Sequence, residues 1–302
     1  DKIMLMKDVF MGTGSMIPTK DRNHSAILIS HETENILVDC GEGTQRQLRI
    51  LGFAPPKLTR ILITHWHGDH YYGLAGVIEN LGKNQYSGIL QIYGPRGSKK
   101  RFNRIANALG LKDRIKMKIN EVNKDGLVFE NESVSIGSYY LKHSVPCIGY
   151  YIKEADARKI NVDYIKKLGI PEGPVLGNLQ KGKDIVFEGK KIKLKDATYL
   201  KKGKKVAVVM DTGLCNNCYK LSKDSDLLIC ESTYHSDLEK KAKEHMHLTS
   251  KQAALIAKKS NVKKLVLTHF SQRYKTIEDL DKEAKKIFSN TLSASDFLSL
   301  EV

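Results

Sequence analysis

Four residues able to hold a metal fall within six positions at His65-x-His67-x-Asp69-His70. Imidazole nitrogen and carboxylate oxygen are the ligands that a borderline cation such as Zn²⁺ accepts. His65 and His67, two apart at the exit of the apolar run Arg60–Thr64, can converge on one point, while the adjacent Asp69 and His70 face another. A solvated polar turn has no need of four ligand types in so short a run. Three more candidates stand where apolar runs end: His143 after Tyr139–Lys142, Asp211 after Val206–Met210, and His269 after Leu265–Thr268. Alone, a histidine at such a place is usually packed or solvated; beside the cluster it becomes a candidate ligand. Asp211 has two oxygens and can bridge two cations, which a neutral imidazole with one free lone pair cannot readily do. Two cations about 3.5–4 Å apart activate water and stabilise the attacking and leaving oxygens of an in-line displacement at phosphorus. The chemistry implied is hydrolysis of a phosphodiester.

Charge narrows the substrate class. The 302 residues carry 50 Lys+Arg against 34 Asp+Glu, a formal net charge of +16, which draws a polyanion such as a nucleic acid. Half of that excess lies in one stretch: Lys153–Lys205 holds fifteen basic residues against seven acids. With 41% hydrophobic and 28% charged residues, the composition is that of a globular protein able to bury a full core without disulfides. The five cysteines, Cys40, Cys147, Cys215, Cys218 and Cys230, are too irregularly spaced for a disulfide framework and point to a reducing cytoplasm. No apolar run is long enough to cross a bilayer, and the first residues lack the apolar block of a signal peptide. A chain beginning at Asp1 is expected to lack its native start.

Several elements must position these residues. Apolar runs at Met4–Met11, Ser25–Ser30 and Ile36–Asp39, separated by polar turns, predict antiparallel strands. Thr44–Leu51 reads as a short helix closed by Gly52, and Tyr71–Leu81 as a helix closed by Gly82. A strand near Ile89–Tyr93, a helix around Lys99–Leu109 and strands within Gly126–Ser138 follow. Past the basic stretch, Val206–Met210, Leu227–Cys230 and Lys264–Thr268 read as strands, with helices at Ser250–Lys259 and Ile277–Phe288. This mixture predicts a layered α/β domain. Turn formers at Gly169–Pro174 and Gly177–Gly182, with few bulky apolar residues, predict that the basic stretch leaves the core. Trp66 is expected to pack behind the site, and Tyr71 and Tyr72 to join the core. Cys215-x-x-Cys218, with no second such pair, is assigned no metal or redox role here.

The run His65-x-His67-x-Asp69-His70, followed by His143, Asp211 and His269 at strand ends, resembles the metallo-β-lactamase superfamily. Finer blocks resemble its ribonuclease Z family of tRNA 3′-processing endonucleases: Gly12–Ser15 with Pro18–Asn23, Asp39–Gln45, and His269–Tyr274. The resemblance spans essentially the whole chain. It implies an αββα sandwich formed by residues 1–152 and 205–302, with residues 153–204 as an inserted, protruding basic arm that binds tRNA. It implies two zinc ions per chain, with Mn²⁺ or Fe²⁺ as alternatives, one held by His65, His67 and His143 and the other by Asp69, His70 and His269, with Asp211 bridging. Asp69 would also accept the proton of the attacking hydroxide. His247 would protonate the leaving oxygen, oriented by Glu231, with His245 as a rival donor. Here Glu231 sits between Cys230 and Ser232 where the family often has His-Glu-Ala-Thr, so the block matches only in part. Arg22, Asn23, Ser271 and Arg273 would hold the substrate. The activity implied is cleavage of precursor tRNA after the discriminator, leaving a 3′-hydroxyl on the tRNA and a 5′-phosphate on the trailer, by a cytoplasmic homodimer. Two rivals stand beside it: a small-molecule hydrolase of the same fold, acting on a cyclic phosphodiester or thioester, and a metal-stabilised RNA-binding protein without catalysis.

Overall fold

A computed structural model describes residues 6–171 and 173–302. Met4 and Leu5 of the first predicted strand, and Glu172 of the turn-rich stretch, lie outside the described residues. The chain divides into two compact units: one of residues 1–153 and 204–302, the other of residues 154–203.

The larger unit is built on two seven-stranded sheets. The first runs in the order Ser299–Glu301, Lys7–Gly12, Ala26–His31, Glu34–Val38, Arg60–Leu62, Ile89–Pro95 and Lys116–Val122. The second runs Thr291–Ser293, Lys264–Thr268, Leu227–Glu231, Lys205–Val209, Cys147–Glu154, Val134–Leu141 and Gly126–Glu130. Central strands are apolar on both faces because both faces are covered. Ile27 and Ile29 face a shared core with Ile136, Tyr150, Val208 and Ile229 of the other sheet, whereas Ala26 and Leu28 face the helices. Helices Thr44–Ile50, Leu74–Lys83 and Ser98–Ala108 cover the first sheet's outer face. Asn216–Ser222, Ser250–Lys259 and Glu278–Lys285 cover the second's. The result is the expected αββα sandwich.

One predicted helix is broken. Instead of Tyr71–Leu81 there is a single turn, Gly68–Tyr71, and a separate helix from Leu74 to Lys83. The break serves a docking contact: the Cys40 N–H donates to the His70 carbonyl and the Gly73 N–H to the Cys40 carbonyl, at 2.8 and 2.9 Å. Gly41 makes that approach possible, since a Cβ there would stand 2.4 Å from the Asp69 carbonyl oxygen. Trp66 is buried as expected, with its indole N–H donating to Ser98 Oγ. Tyr72 is not in the core; it is 59% exposed.

The smaller unit has apolar packing that its turn-rich sequence did not foreshadow. Ile165, Ile170, Leu176, Leu179, Ile185, Ile192 and Ala197 form a small core of their own. Around it lie the pairs Ala157–Ile160 with Thr198–Lys201 and Ile185–Phe187 with Lys190–Ile192, together with helices Val162–Lys167 and Pro174–Gln180. The Asn161 side chain caps the first helix by accepting from the Tyr164 N–H. These apolar residues are too widely spaced in sequence to show a period, and only the folded hairpins gather them.

Asp8 is the misfit of the large core. It alternates with Met6 and Phe10 on the strand face turned to the inter-sheet layer, it is fully buried, and neither carboxylate oxygen has a hydrogen-bond partner among the described residues. Burial pushes its carboxyl up to about 8, against about 3.9 in an unfolded chain. The unfolded state therefore releases its proton first, so stability falls as pH rises from about 4 to about 8 and then levels off. Asp8→Asn is expected to raise the thermal unfolding midpoint by several degrees at pH 8 and by much less at pH 5. A gain that does not change with pH would contradict this.

Candidate metal centre

All seven predicted ligands meet at the strand ends of the sandwich: His65, His67 and His143 group with Asp211, Asp69 and His70 group with His269, and Asp211 groups again with His247 and His269. In the first, Nε2 of His65 and Nε2 of His143 lie 3.1 and 3.2 Å from Nδ1 of His67. Oδ2 of Asp211 lies 3.7 and 3.9 Å from the same two Nε2 atoms. In the second, Nε2 of His70 is 3.4 Å from Oδ2 of Asp69 and 3.3 Å from Oδ1 of Asp211; Nε2 of His269 is 3.7 and 3.1 Å from the same oxygens. A tetrahedral shell with metal–nitrogen bonds of about 2.0–2.1 Å has edges of roughly 3.3 Å. The donor atoms thus stand at coordination-shell spacing.

Their hydrogen bonding supports the same fit. Among the described residues, His70 Nε2, His269 Nε2 and Asp211 Oδ1 are buried without a hydrogen-bond partner, and Asp211 Oδ1 faces both nitrogens. Leaving one buried polar atom unsatisfied costs about 1–3 kcal/mol, and a cation among the three would satisfy them together. The cluster is a divalent-metal site.

Four of the five candidate ligand rings are aimed by their other nitrogen. His65 Nδ1 faces Thr64 Oγ1 at 3.1 Å, His143 Nδ1 the Met246 carbonyl at 3.1 Å, His70 Nδ1 Asp39 Oδ2 at 2.7 Å, and His269 Nδ1 Thr233 Oγ1 at 2.9 Å. This leaves Nε2 as the free donor in all four. Asp39 and Thr233 were not picked out for this work from the sequence. The available signal for Asp39 was its place after the apolar run Ile36–Val38, the same context that pointed to Asp211. Asp39, His269, Met16 and Met246 all have left-handed backbone, at φ 57, 59, 41 and 55°. That conformation is uncommon for residues with a side chain and gathers at functional sites. At Met16 it aims the backbone N–H at Asp69 Oδ2, 2.8 Å away.

The charges are mutually dependent. Burial opposes ionisation of Asp211, but His269, His70, His247 and His65 outweigh it and hold the carboxyl well below its usual range. Burial likewise opposes the charge of Asp69, and His70 with His269 outweighs it. Burial pushes His65, His67 and His143 down, toward the neutral form that offers a lone pair. For His70 burial acts in the same direction, yet Asp211, Asp39 and Asp69 prevail and raise it. A proton on His70 Nε2 and a cation would compete for one place.

Glu231 and His247 form a separate pair beside the ligands. His247 Nδ1 lies 3.2 Å from both Glu231 oxygens, and Glu231 is fixed by the Thr212 N–H and the Thr233 hydroxyl. Burial disfavours the charged ring, but Glu231 and Asp211 overcome it and raise His247 to about 9. His247 also stands close enough to Asp211 and His269 to serve as a ligand. With Nδ1 already held by Glu231, we assign it no metal. His245 is exposed.

The cleft over these groups has a volume of about 560 Å³ and is walled by His67, Asp69, His143, Asp211 and His247, with exposed Met16 and Tyr72 also lining it. The expected substrate-binding residues do not line it. Asn23 donates from Nδ2 to the Glu42 carbonyl at 2.8 Å, and Arg22 donates to the Tyr274 carbonyl, bracing the Pro18–Asn23 loop against the Asp39–Gln45 and His269–Tyr274 blocks. Arg273 lies over the Tyr234 ring at 5.1 Å, with Nε 3.2 Å from Ser271 Oγ.

Residues 19–152 match the metallo-beta-lactamase superfamily. The chain is 38% identical over 297 residues to "Ribonuclease Z" of Protochlamydia amoebophila (strain UWE25), covering 98% of this chain and 97% of the relative. The chain belongs to the ribonuclease Z family. It is also 35% identical over 315 residues to "Ribonuclease Z" of Bacillus cereus (strain B4264), covering 98% and 99% of the two chains. The solved structure of human tRNase Z, short form, matches with a TM-score of 0.72 at 27% identity, over 98% of each chain. Within this ribonuclease Z fold, the carboxylate behind His70 is a test of the centre. Asp39→Ala is expected to weaken metal binding by roughly 10–100-fold, read by competition with a chromogenic chelator. Unchanged affinity would show that Asp39 does not orient His70.

Proposed function

We propose that this chain is a zinc-dependent endoribonuclease that removes the 3′ trailer from precursor tRNA, cutting after the discriminator. The observation that carries this reading is the pairing of two neighbouring ligand groups, with Asp211 within reach of histidines of both, and a His247–Glu231 pair in one open cleft. His65, His67 and His143 would hold one ion, Asp69, His70 and His269 the other, and Asp211 both. Two Zn²⁺, or Mn²⁺ or Fe²⁺ in their place, supply a nucleophilic water at neutral pH and offset charge building up on the phosphate.

The chain's own groups do the rest. Asp69, held by the Met16 N–H, orients the attacking water and accepts its proton. His247, kept charged by Glu231, gives a proton to the 3′ oxygen as its bond to phosphorus breaks, leaving a 3′-hydroxyl on the tRNA and a 5′-phosphate on the trailer. Arg273, with a planar fork suited to two phosphate oxygens, and Ser271 contact the backbone. Arg22 and Asn23 shape the loop that the substrate end meets. The lysine-rich unit 154–203 grips the tRNA backbone without reading sequence. The same reading carries a homodimer working in the cytoplasm.

Two measurements test this. A precursor tRNA with a 3′ trailer should yield ends mapping just after the discriminator. His247→Ala should lower the rate by roughly 10²–10⁴-fold with about two metals per chain retained, and Asp69→Ala should abolish cleavage. Binding without cleavage by the wild type would favour the non-catalytic alternative. Deleting residues 156–202 should reduce precursor cleavage by on the order of 10²-fold and flatten its salt dependence, while hydrolysis of a small phosphodiester is kept. Equal loss on both substrates would remove the tRNA-holding role of that unit.

A further inference from the structure

Cys215 and Cys218 have no part in the proposed reaction. Their Sγ atoms lie 3.5 Å apart, and the Cys218 N–H donates to the Cys215 carbonyl at 3.1 Å, closing the segment into a tight turn. The two are unequal: Cys215 is partly exposed, whereas Cys218 is buried. Cys40, Cys147 and Cys230 are buried too, so Cys215 is the one cysteine of the five that a solute can reach. None of the ligand groups able to hold a metal among the described residues includes a cysteine. The turn leaves the strand end that bears Asp211, four residues before Cys215.

We propose that Cys215 and Cys218 are a reversible dithiol site that exchanges with small-molecule disulfides of the glutathione class, with Cys215 as the attacking and Cys218 as the resolving sulfur. The spacing and the exposed–buried order are those that exchange requires. The charge balance agrees: hydrogen bonding from the Cys218 thiol, aided against burial by the N–H groups of Cys218 and Asn217, lowers Cys215 to about 5, and the same contact with burial raises Cys218. Burial raises Cys40, Cys147 and Cys230, which leaves them protonated and inert.

The steps balance. The Cys215 thiolate attacks one sulfur of glutathione disulfide, forming a mixed disulfide and expelling a glutathione thiolate, which takes a proton from water. The Cys218 sulfur then attacks Cys215 Sγ, the bond from Cys215 to glutathione breaks, and the departing glutathione sulfur takes up the proton that Cys218 gives up. Two protein thiols are oxidised to one disulfide as glutathione disulfide is reduced to two glutathiones.

The test uses the metal-loaded full chain, equilibrated with glutathione and glutathione disulfide at graded ratios, quenched by acid, alkylated after denaturation and mapped by mass spectrometry. The expected result is a fall from five alkylated cysteines to three, with a 215–218 linked peptide that dithiothreitol reverses. Cys218→Ser is expected to stop at one glutathione on Cys215; should that variant fail to fold, the wild-type map decides alone. Five free thiols at every ratio, or a lasting glutathione adduct on wild-type Cys215 without the internal bond, overturns the proposal.

Discussion

The buried carboxylates of the site impose the constraint on which the rest depends. Asp39, Asp211 and Glu231 are almost fully buried at adjoining strand ends, and Asp69 is nearly so. Removing so much negative charge from water is affordable only if positive charge or hydrogen-bond donors surround it. The structure surrounds it with five histidines at hydrogen-bond or ion-pair range, His65, His70, His143, His247 and His269. Even so, His70 Nε2, His269 Nε2 and Asp211 Oδ1 make no hydrogen bond among the described residues. A cation is the simplest group that completes such a cluster, and its removal would leave the same carboxylates uncompensated.

Holding that cluster explains much of the architecture. Ligands come from the exits of strands in both sheets: His65 to His70 follow Arg60–Leu62 in the first, while Asp211 and His269 follow Lys205–Val209 and Lys264–Thr268 in the second. The sheets pack through a shared apolar layer, so the spacing between ligand sets is set by core packing and not by loop length. The loops then trim the geometry. Asp296 accepts from the Thr13 and Asn23 N–H groups and ties the glycine turn to the Pro18–Asn23 loop, while Cys40 and Gly73 lock the helical turn that carries His70. Arg22 and Asn23 belong to this bracing and do not line the cleft.

The charge distribution suggests a division of labour under the proposed function. The catalytic unit buries negative charge where the reaction occurs. The unit of residues 154–203 has its own small core and carries a lysine-rich surface, offset in part by local pairs such as Lys191–Asp184 and Lys202–Asp156. A separately folded unit can change in length or sequence without disturbing the metal ligands, which a loop grown from the sandwich core could not do as freely.

The candidate ligand set was legible in the sequence because metal chemistry restricts residue type, because four candidates crowd into six positions, and because His143, Asp211 and His269 each directly follow an apolar run. The αββα layering and the Glu231–His247 pair were expected from the family likeness, and the structure contains both. Other features depend on contacts between residues far apart in the chain. The split of Tyr71–Leu81 is decided by a backbone bond to Cys40, thirty-three residues before Gly73. The strand Lys116–Val122, half-buried at the sheet edge, offers too weak an alternation to stand out. Exposure of Tyr72, the orienting roles of Asp39 and Thr233, and the core of the basic unit follow from tertiary packing alone. By itself the sequence determined which atoms could bind metal and where charge would accumulate, since both are properties of side chains. Tertiary structure decided which nitrogen each histidine presents, which carboxylates lose their water and which two thiols meet, because each of these is a distance between strands and turns that no local pattern specifies.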